Sequence, residues 1–198
     1  MQHIRILCAA VLVLMGAVQA SAQSRFLLGG QVASVSTGEF DARDTGLGLL
    51  VGARVLGPVW GEAVLLRYPG EFPENRPFSQ HRVEGLFGAS VGPDLGSVRP
   101  FVKASAGFVR YGDAGGPVAC ILIFPPPLSC QLAGGRTLAA YDVGVGISAQ
   151  PVPMTFLRVD LSRRSVRYPG PSFGTSAVHD GDFWDGDVRF AVSAGLRF

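Results

Sequence analysis

The chain has 198 residues, with 27 Gly, 14 Pro, 47% hydrophobic and only 16% charged residues, and its mean hydropathy is +0.31. Soluble domains average about 25% charged residues, so this composition is unusual for a water-soluble fold. The abundant apolar residues and a formal net charge of only +2 exclude a disordered chain and give no electrostatic basis for binding nucleic acid.

The first element is an apolar stretch from Ile4 to Val18, with Arg5 near its start. Its length of about 15 residues is short of the ~20 that a spanning helix needs. Ala20-Ser21-Ala22 then provides a small-residue cleavage site. This order of features predicts a secretory signal peptide over residues 1–22 and an exported domain over residues 23–198. An uncleaved N-terminal anchor is the alternative.

The predicted export determines which cysteines remain and places them in an oxidising compartment. Cys8 lies in the predicted signal peptide, and Cys120 and Cys130 remain as a pair in an oxidising compartment. They enclose a short segment with three consecutive prolines, and we expect a disulfide between them. Zinc binding is the rival interpretation, but two cysteines without a nearby histidine make a poor zinc site.

Alternation of apolar with small or charged residues recurs along the exported domain and predicts β-strands. These segments are about 10–14 residues long, whereas globular strands average 5–6 and strands that cross a bilayer need about 9–11. The eight predicted strands are Phe26–Ser36, Gly46–Leu56, Val59–Tyr68, Arg82–Val91, Val98–Tyr111, Thr137–Ala149, Thr155–Tyr168 and Asp187–Phe198.

The predicted connections alternate between short turns and long loops. That asymmetry is typical of an up-and-down membrane barrel. The sequence therefore predicts an all-β fold, an eight-stranded antiparallel transmembrane β-barrel with four long loops at one end; a soluble sandwich is the alternative. We expect inward-facing glycines such as Gly48 and Gly146 to make room for long arginine side chains.

The last residues, Phe190 to Phe198, end on an aromatic and carry apolar residues at every second position. This segment resembles the assembly signal of bacterial outer-membrane barrels, and Pro100 to Gly107 resembles the Gly-rich fifth strand of small barrels. The domain as a whole resembles the eight-stranded OmpA-, OmpX- and opacity-type barrel family. The resemblance implies a monomer in the bacterial outer membrane whose last strand is read by the barrel-assembly machinery, through Phe190, Val192, Leu196 and Phe198.

Charged residues recur on the face that points inward in such a barrel. An eight-stranded barrel is just wide enough for its side chains to fill, so these charges must pair. They form either a structural salt-bridge plug or the lining of a narrow pore. The predicted lumen residues are Arg54, Glu62, Arg82, Glu84, Lys103, Asp142, Arg158, Asp160, Arg164, Asp187 and Arg189.

Four arginines fall on the opposite, lipid-facing phase near the long-loop ends of their strands: Arg67, Arg110, Arg163 and Arg167. Arginine binds phosphate bidentately, so these residues are predicted to contact the phosphates of lipopolysaccharide. The alternative is simple snorkelling at the membrane edge.

Evidence for catalysis or cofactors is weak. The exported domain has two histidines, His81 and His179, and a Ser176–His179–Asp180 arrangement is the one local triad candidate. Acidic residues around Asp182 do not match the calcium-loop spacing. We predict no cofactor, no metal and no enzymatic activity, and a structural or adhesive role through the loops. The alternatives are a narrow pore, a lipopolysaccharide-binding barrel and a lipid-modifying enzyme.

Overall fold

The computed structural model describes residues 25–74, 77–116, 120, 123–174 and 177–198. The predicted signal peptide, residues 1–22, lies outside the described residues. Within the described ranges the elements are β1 (Phe26–Thr37), β2 (Ala42–Leu56), β3 (Val59–Phe72), β4 (Ser79–Val91), β5 (Val98–Asp113), α1 (Leu128–Leu132), β6 (Gly134–Ala149), β7 (Thr155–Tyr168), β8 (Ser172–Phe173), β9 (Val178–His179) and β10 (Phe183–Arg197).

Eight of these strands form a closed barrel in the order β1-β10-β7-β6-β5-β4-β3-β2, and all neighbouring pairs are antiparallel. Each strand pairs with its neighbours in sequence, and β10 closes the barrel onto β1. The two short strands β8 and β9 form a separate hairpin in the last long loop. The predicted eight-stranded antiparallel barrel is confirmed.

The strands are strongly staggered. Following paired residues once around the barrel from Ser36 of β1, through Val188 of β10, leads back to Phe26 of β1. In a closed barrel such stagger inclines the strands to the axis, by about 35–45° in membrane barrels of this kind. An interior of eight strands is then just wide enough to be filled by side chains.

Most strands reach further at the long-loop end than the alternation predicts. For example, β2 begins at Ala42 and β10 at Phe183. The added residues are mostly small, polar or aromatic and lack regular apolar alternation, but many of them still pair in the ladder, as Val35 with Asp44 and Arg167 with Trp184 show. The barrel wall therefore extends above the apolar band.

The inward glycines serve close approach of backbones, and the expectation that they make room for arginines is wrong at the positions that can be checked. A Cβ at Gly146 would lie 2.5 Å from Cζ of Phe101 and 2.6 Å from the carbonyl oxygen of Val159. A Cβ at Gly48 would lie 1.8 Å from the carbonyl oxygen of Leu65 on β3. In both cases a neighbouring strand or an aromatic ring occupies the space.

Among the described residues, no helix has the length and apolar character needed to cross a membrane. The helix α1 has five residues and lies in the third long loop, which covers residues 114–133.

Candidate functional site

The barrel interior holds the predicted lumen charges. All of them except Arg54 have buried side chains, with relative exposures of 7% or less. Arg54 lies at the short-turn end, where its side chain is 20% exposed, pairs with Asp94 of the β4–β5 turn and donates to the carbonyl oxygen of Gly57. It points inward as its phase predicts, but it lies apart from the central charges.

The upper half of the interior is organised around Glu84. Its carboxylate accepts a hydrogen bond from Nη1 of Arg164 at 2.6 Å and lies 3.2 Å from Nη1 of Arg189. Arg164 also pairs with Asp187 on the neighbouring strand β10. All four side chains are essentially inaccessible to solvent.

The same pattern continues toward the short-turn end. Asp142 lies 3.0 Å from Nη1 of Arg189 and 3.3 Å from Nζ of Lys103, and Lys103 also pairs with Asp160. Arg158 then donates to Glu62 at 2.8 Å. We call this connected set the interior charge network; its members are Glu62, Glu84, Lys103, Asp142, Arg158, Asp160, Arg164, Asp187 and Arg189.

Arg82 is held differently, beneath the long loops. Its guanidinium carbon lies 3.9 Å from the ring centroid of Phe72 and 4.9 Å from that of Tyr68, and Nη2 donates to Asp44 at 2.9 Å. Asp44 is the carboxylate that pairs with Arg82, and stacking on the aromatic faces adds to the stabilisation of its buried guanidinium group.

Above Arg82 the mouth of the barrel is closed by aromatic rings from the ends of several strands and from the first two long loops. Phe40 lies 5.0 Å from Phe78 and 5.6 Å from Phe72, measured between ring centroids, and Tyr168 lies 5.6 Å from Phe183. We call this set the aromatic cap; it consists of Phe40, Phe72, Phe78, Tyr111, Tyr168 and Phe183. Leu128 and Leu132 of α1 are buried in the same cluster.

Sequence reasoning missed the aromatic cap. Its signal was the presence of one or more aromatic residues in or beside each of the long loops, such as Phe40 and Phe78, where alternation is absent. Only the closure of the barrel brings these rings together.

The other end of the interior is closed by side chains as well. Trp60 is fully buried there, with the guanidinium carbon of Arg197 4.9 Å from its ring and that of Arg99 at 5.8 Å. Arg99 donates to the carbonyl oxygens of Pro58 and Ser90. The interior is thus filled from one mouth to the other.

Comparison with solved structures shows barrels of the same architecture. The chain matches Neisserial surface protein A (14% identity, TM-score 0.55) and the E. coli outer membrane protein W (14% identity, TM-score 0.51), in each case over 90% of this chain and all of the other. The chain has the fold of the small eight-stranded outer-membrane barrels. No family model and no curated protein matches it.

A further match is the attachment invasion locus protein of Yersinia pestis, with 13% identity over 88% of this chain and 97% of that one, and a TM-score of 0.40.

The four outward arginines of this outer-membrane-type barrel lie where the apolar run on each strand ends. On β3, Arg67 follows the exposed Leu65, and on β5, Arg110 follows the exposed Phe108. On β7 an exposed leucine precedes the remaining two members of what we call the arginine rim: Arg67, Arg110, Arg163 and Arg167.

One part of the arginine rim is combined with aromatic residues. Tyr141 and Trp184 contact each other on the outer face, with ring centroids 5.1 Å apart. Arg163 lies against the adjacent Gly186, where a Cβ would come within 2.6 Å of its Nε. Arg167 pairs with Asp182 at 3.1 Å, and both side chains are about half exposed. Aromatic side chains at this level are typical of a membrane–water interface.

The predicted disulfide is present. Cys120 and Cys130 are bonded, with their Cα atoms 5.8 Å apart. The loop that they close is tied to the fourth long loop, residues 169–182, because the amide of Phe173 donates to the carbonyl oxygen of Pro126 at 3.0 Å and Nε2 of Gln131 donates to that of Pro171 at 2.7 Å.

The two histidines lie apart. His81 is exposed on β4, and the ring of His179 stacks on Phe183 at 3.5 Å. Ser176, the nucleophile of the triad candidate, lies outside the described residues. No group of three or more His, Cys, Asp or Glu side chains in the described ranges is arranged to hold a metal ion.

The residues of the predicted assembly signal lie on β10 and at its end. Phe190 and Leu196 are 48% and 46% exposed on the outer face, which they share with Val192 and Phe198. The carbonyl oxygen of Phe198 accepts hydrogen bonds from the amides of Arg25 and Phe26, so the last residue takes part in closing the barrel.

Proposed function

We propose that the chain is a non-enzymatic, non-conducting outer-membrane barrel whose four long loops form an extracellular surface for adhesion or other surface interactions. The observation that carries this proposal is the filled interior. The interior charge network occupies the middle of the barrel and the aromatic cap closes the long-loop mouth, which leaves the loops as the surface available to a partner.

The proposed location rests on three features. The outer face of the barrel is apolar over most of the strand length, as the exposed Leu49, Phe87 and Val145 illustrate. The arginine rim marks one edge of that apolar face. Export by the predicted signal peptide and assembly through the last strand would then place the long loops outside the cell.

The closed interior argues against the alternative of a narrow pore. Side chains with opposite charge meet at hydrogen-bond distance throughout, for example Arg158 and Glu62 at 2.8 Å. Moving an ion through this region would require breaking buried pairs, each of which costs about 3–5 kcal/mol when one partner is lost.

A conductance measurement tests the proposal. Purified protein inserted into a planar bilayer should show no stable current steps. A Phe72→Ala/Phe78→Ala/Arg164→Ala variant, which removes side chains from both the aromatic cap and the interior charge network, should show them. Regular steps from the wild-type protein would contradict the proposal.

The interaction role has a test of its own. Non-adherent bacteria that display the chain should bind to epithelial cell monolayers more than bacteria displaying an equal amount of another eight-stranded barrel. Equal binding by the two strains would contradict the adhesive role.

A lipopolysaccharide-binding barrel is the second candidate, and the arginine rim favours it. Arg67, Arg110 and Arg163 have no ion-pair partner within the described part of the chain, although they border the apolar face. Lipid A phosphates would supply the missing anions through charge-assisted hydrogen bonds.

This second candidate predicts that lipid A raises the melting temperature of the protein in nanodiscs, and that dephosphorylated lipid A does so less. An Arg67→Gln/Arg110→Gln/Arg163→Gln variant should lose most of that difference. The same stabilisation by both lipids would exclude phosphate recognition.

A further inference from the structure

An apolar surface lies in the third and fourth long loops, beyond the arginine rim in the chain. Phe124 is 87% exposed, and Ile123, Phe173 and Val178 are about half exposed. We call these four residues the loop patch. Large exposed apolar clusters on a protein that is otherwise well packed mark interaction sites.

The loop patch is held in place on the inner side of the same loops. Leu128 and Leu132 of α1 are buried in the cluster around the aromatic cap, only a few residues beyond Phe124. The third loop therefore buries one set of apolar side chains and exposes another. The exposed apolar residues belong to a loop that is packed against the rest of the protein.

Several constraints fix the outward part. The Cys120–Cys130 disulfide closes the segment, and Pro127 forms a bridge to Phe173 of the fourth loop. The bond from the amide of Phe173 to Pro126 joins the two halves of the loop patch. Such preorganisation reduces the conformational entropy that is lost on binding.

The charges near the loop patch indicate what covers it. Residues 114–133 contain no charged side chain, and the charged residues of 169–182 are Asp180 and Asp182. Asp182 is paired with Arg167. These two loops therefore offer apolar contact without lysine or arginine, so electrostatic attraction to an anionic surface does not drive their binding.

The membrane that holds the barrel does not cover the loop patch. Arg110 lies at the edge of the apolar face, and β5 continues beyond it to Asp113 before the third loop begins. The fourth loop likewise begins beyond Arg167 on β7. The arginine rim thus separates the loop patch from the apolar band of the barrel wall.

We propose that the loop patch inserts into an apposed lipid bilayer whose headgroups carry no net charge. An aromatic ring that is 87% exposed on a braced pair of loops without lysine or arginine matches the interfacial region of a bilayer, where apolar burial alone drives binding. This inference rests on the proposed function, because it names the partner of the loop surface.

Vesicle binding tests the inference. The full chain in nanodiscs is passed over immobilised phosphatidylcholine vesicles and over vesicles with added phosphatidylglycerol, with empty nanodiscs as the blank. We expect binding to phosphatidylcholine that is insensitive to salt and weaker when phosphatidylglycerol is present. Phe124→Ser should weaken binding by about tenfold, the effect of withholding one aromatic side chain from an apolar phase.

Leu95→Ser is the matched control. Leu95 is also an exposed apolar side chain, at 64%, but it lies in a short turn at the opposite end of the barrel. Binding equal to that of empty nanodiscs, or equal loss in the Phe124→Ser and Leu95→Ser variants, would overturn the inference. Phe173→Ser provides a second measurement on a different loop.

The two proposals fail in different ways. If displaying bacteria adhere to cells but the nanodiscs do not bind phosphatidylcholine, a protein or glycan partner replaces the lipid and the proposed function remains. If wild-type protein conducts and does not adhere, the proposed function itself fails.

Discussion

Glu84 on β4 and Arg164 on β7 form an ion pair across the barrel interior, with 2.6 Å between Oε2 and Nη1, although 80 residues separate them in the sequence. Both side chains are fully buried. The pair joins strands that are three places apart in the wall, so it forms only when the sheet curves around the interior.

Removing the carboxylate of this pair should destabilise the barrel. Glu84→Ala leaves Arg164 and Arg189 with fewer partners in a buried site, and we expect a loss of about 3–5 kcal/mol in the free energy of unfolding. Urea titration of the protein in lipid vesicles, followed by the fluorescence of Trp60 and Trp184, measures this loss. Arg54→Ala breaks the partly exposed Asp94 pair and should cost no more than about 1 kcal/mol. Similar midpoints for the two variants would contradict the interior charge network.

The pairing of the lumen charges follows from the sequence only in outline. Alternation along β7 indicates that Arg158, Asp160 and Arg164 share one face, because side chains alternate strictly in a strand. Which carboxylate meets Arg164 depends on the stagger of the closed barrel. No local pattern encodes that stagger, since it is set by the register of all the strand pairs together.

Glycine substitutions test whether a position needs glycine because neighbouring atoms leave no room for a Cβ. Gly146→Ala places a Cβ against Phe101 and the Val159 carbonyl group and should cost about 1–3 kcal/mol through overpacking. Gly30→Ala is the matched control, because a Cβ there meets nothing within 4 Å. The fraction that folds into vesicles, read from heat-modifiable migration on a gel, should fall for the first variant alone. Equal folding of both would show that the wall at Gly146 adapts.

The aromatic environment of Arg82 should discriminate between two cations. Arg82→Lys keeps the charge opposite Asp44 but loses the planar group that stacks on Phe72 at 3.9 Å. We expect a loss of about 1–2 kcal/mol in the free energy of unfolding. Arg43→Lys, at an exposed position on β2, is the control and should be neutral. If Arg82→Lys is as stable as the wild type, the stacking contributes nothing.

The loops were the least predictable part of the chain. The cysteine spacing and the prolines indicated a closed loop, and the disulfide is present. The burial of Leu128 and Leu132 under the aromatic cap was not predicted, because α1 is too short for a helical pattern and its partners come from other loops. The sequence therefore predicted the wall of the barrel better than the packing of the loops that closes its mouth.

Loss of the disulfide should loosen the loops and leave the wall intact. A Cys120→Ser/Cys130→Ser variant removes a short covalent loop closure worth about 2–3 kcal/mol in the chain-entropy model, but the eight strands keep their hydrogen bonds. We expect unchanged heat-modifiable migration on a gel, together with faster cleavage by the broad-specificity protease proteinase K between Cys120 and Cys130, the segment that carries the 87% exposed Phe124. Cleavage of intact protein treated with a reductant should match that of the variant. A variant that no longer folds would instead mean that the disulfide acts before the barrel closes, and a variant that resists protease as the wild type does would mean that the contacts to Phe173 and Pro171 suffice to hold the loop.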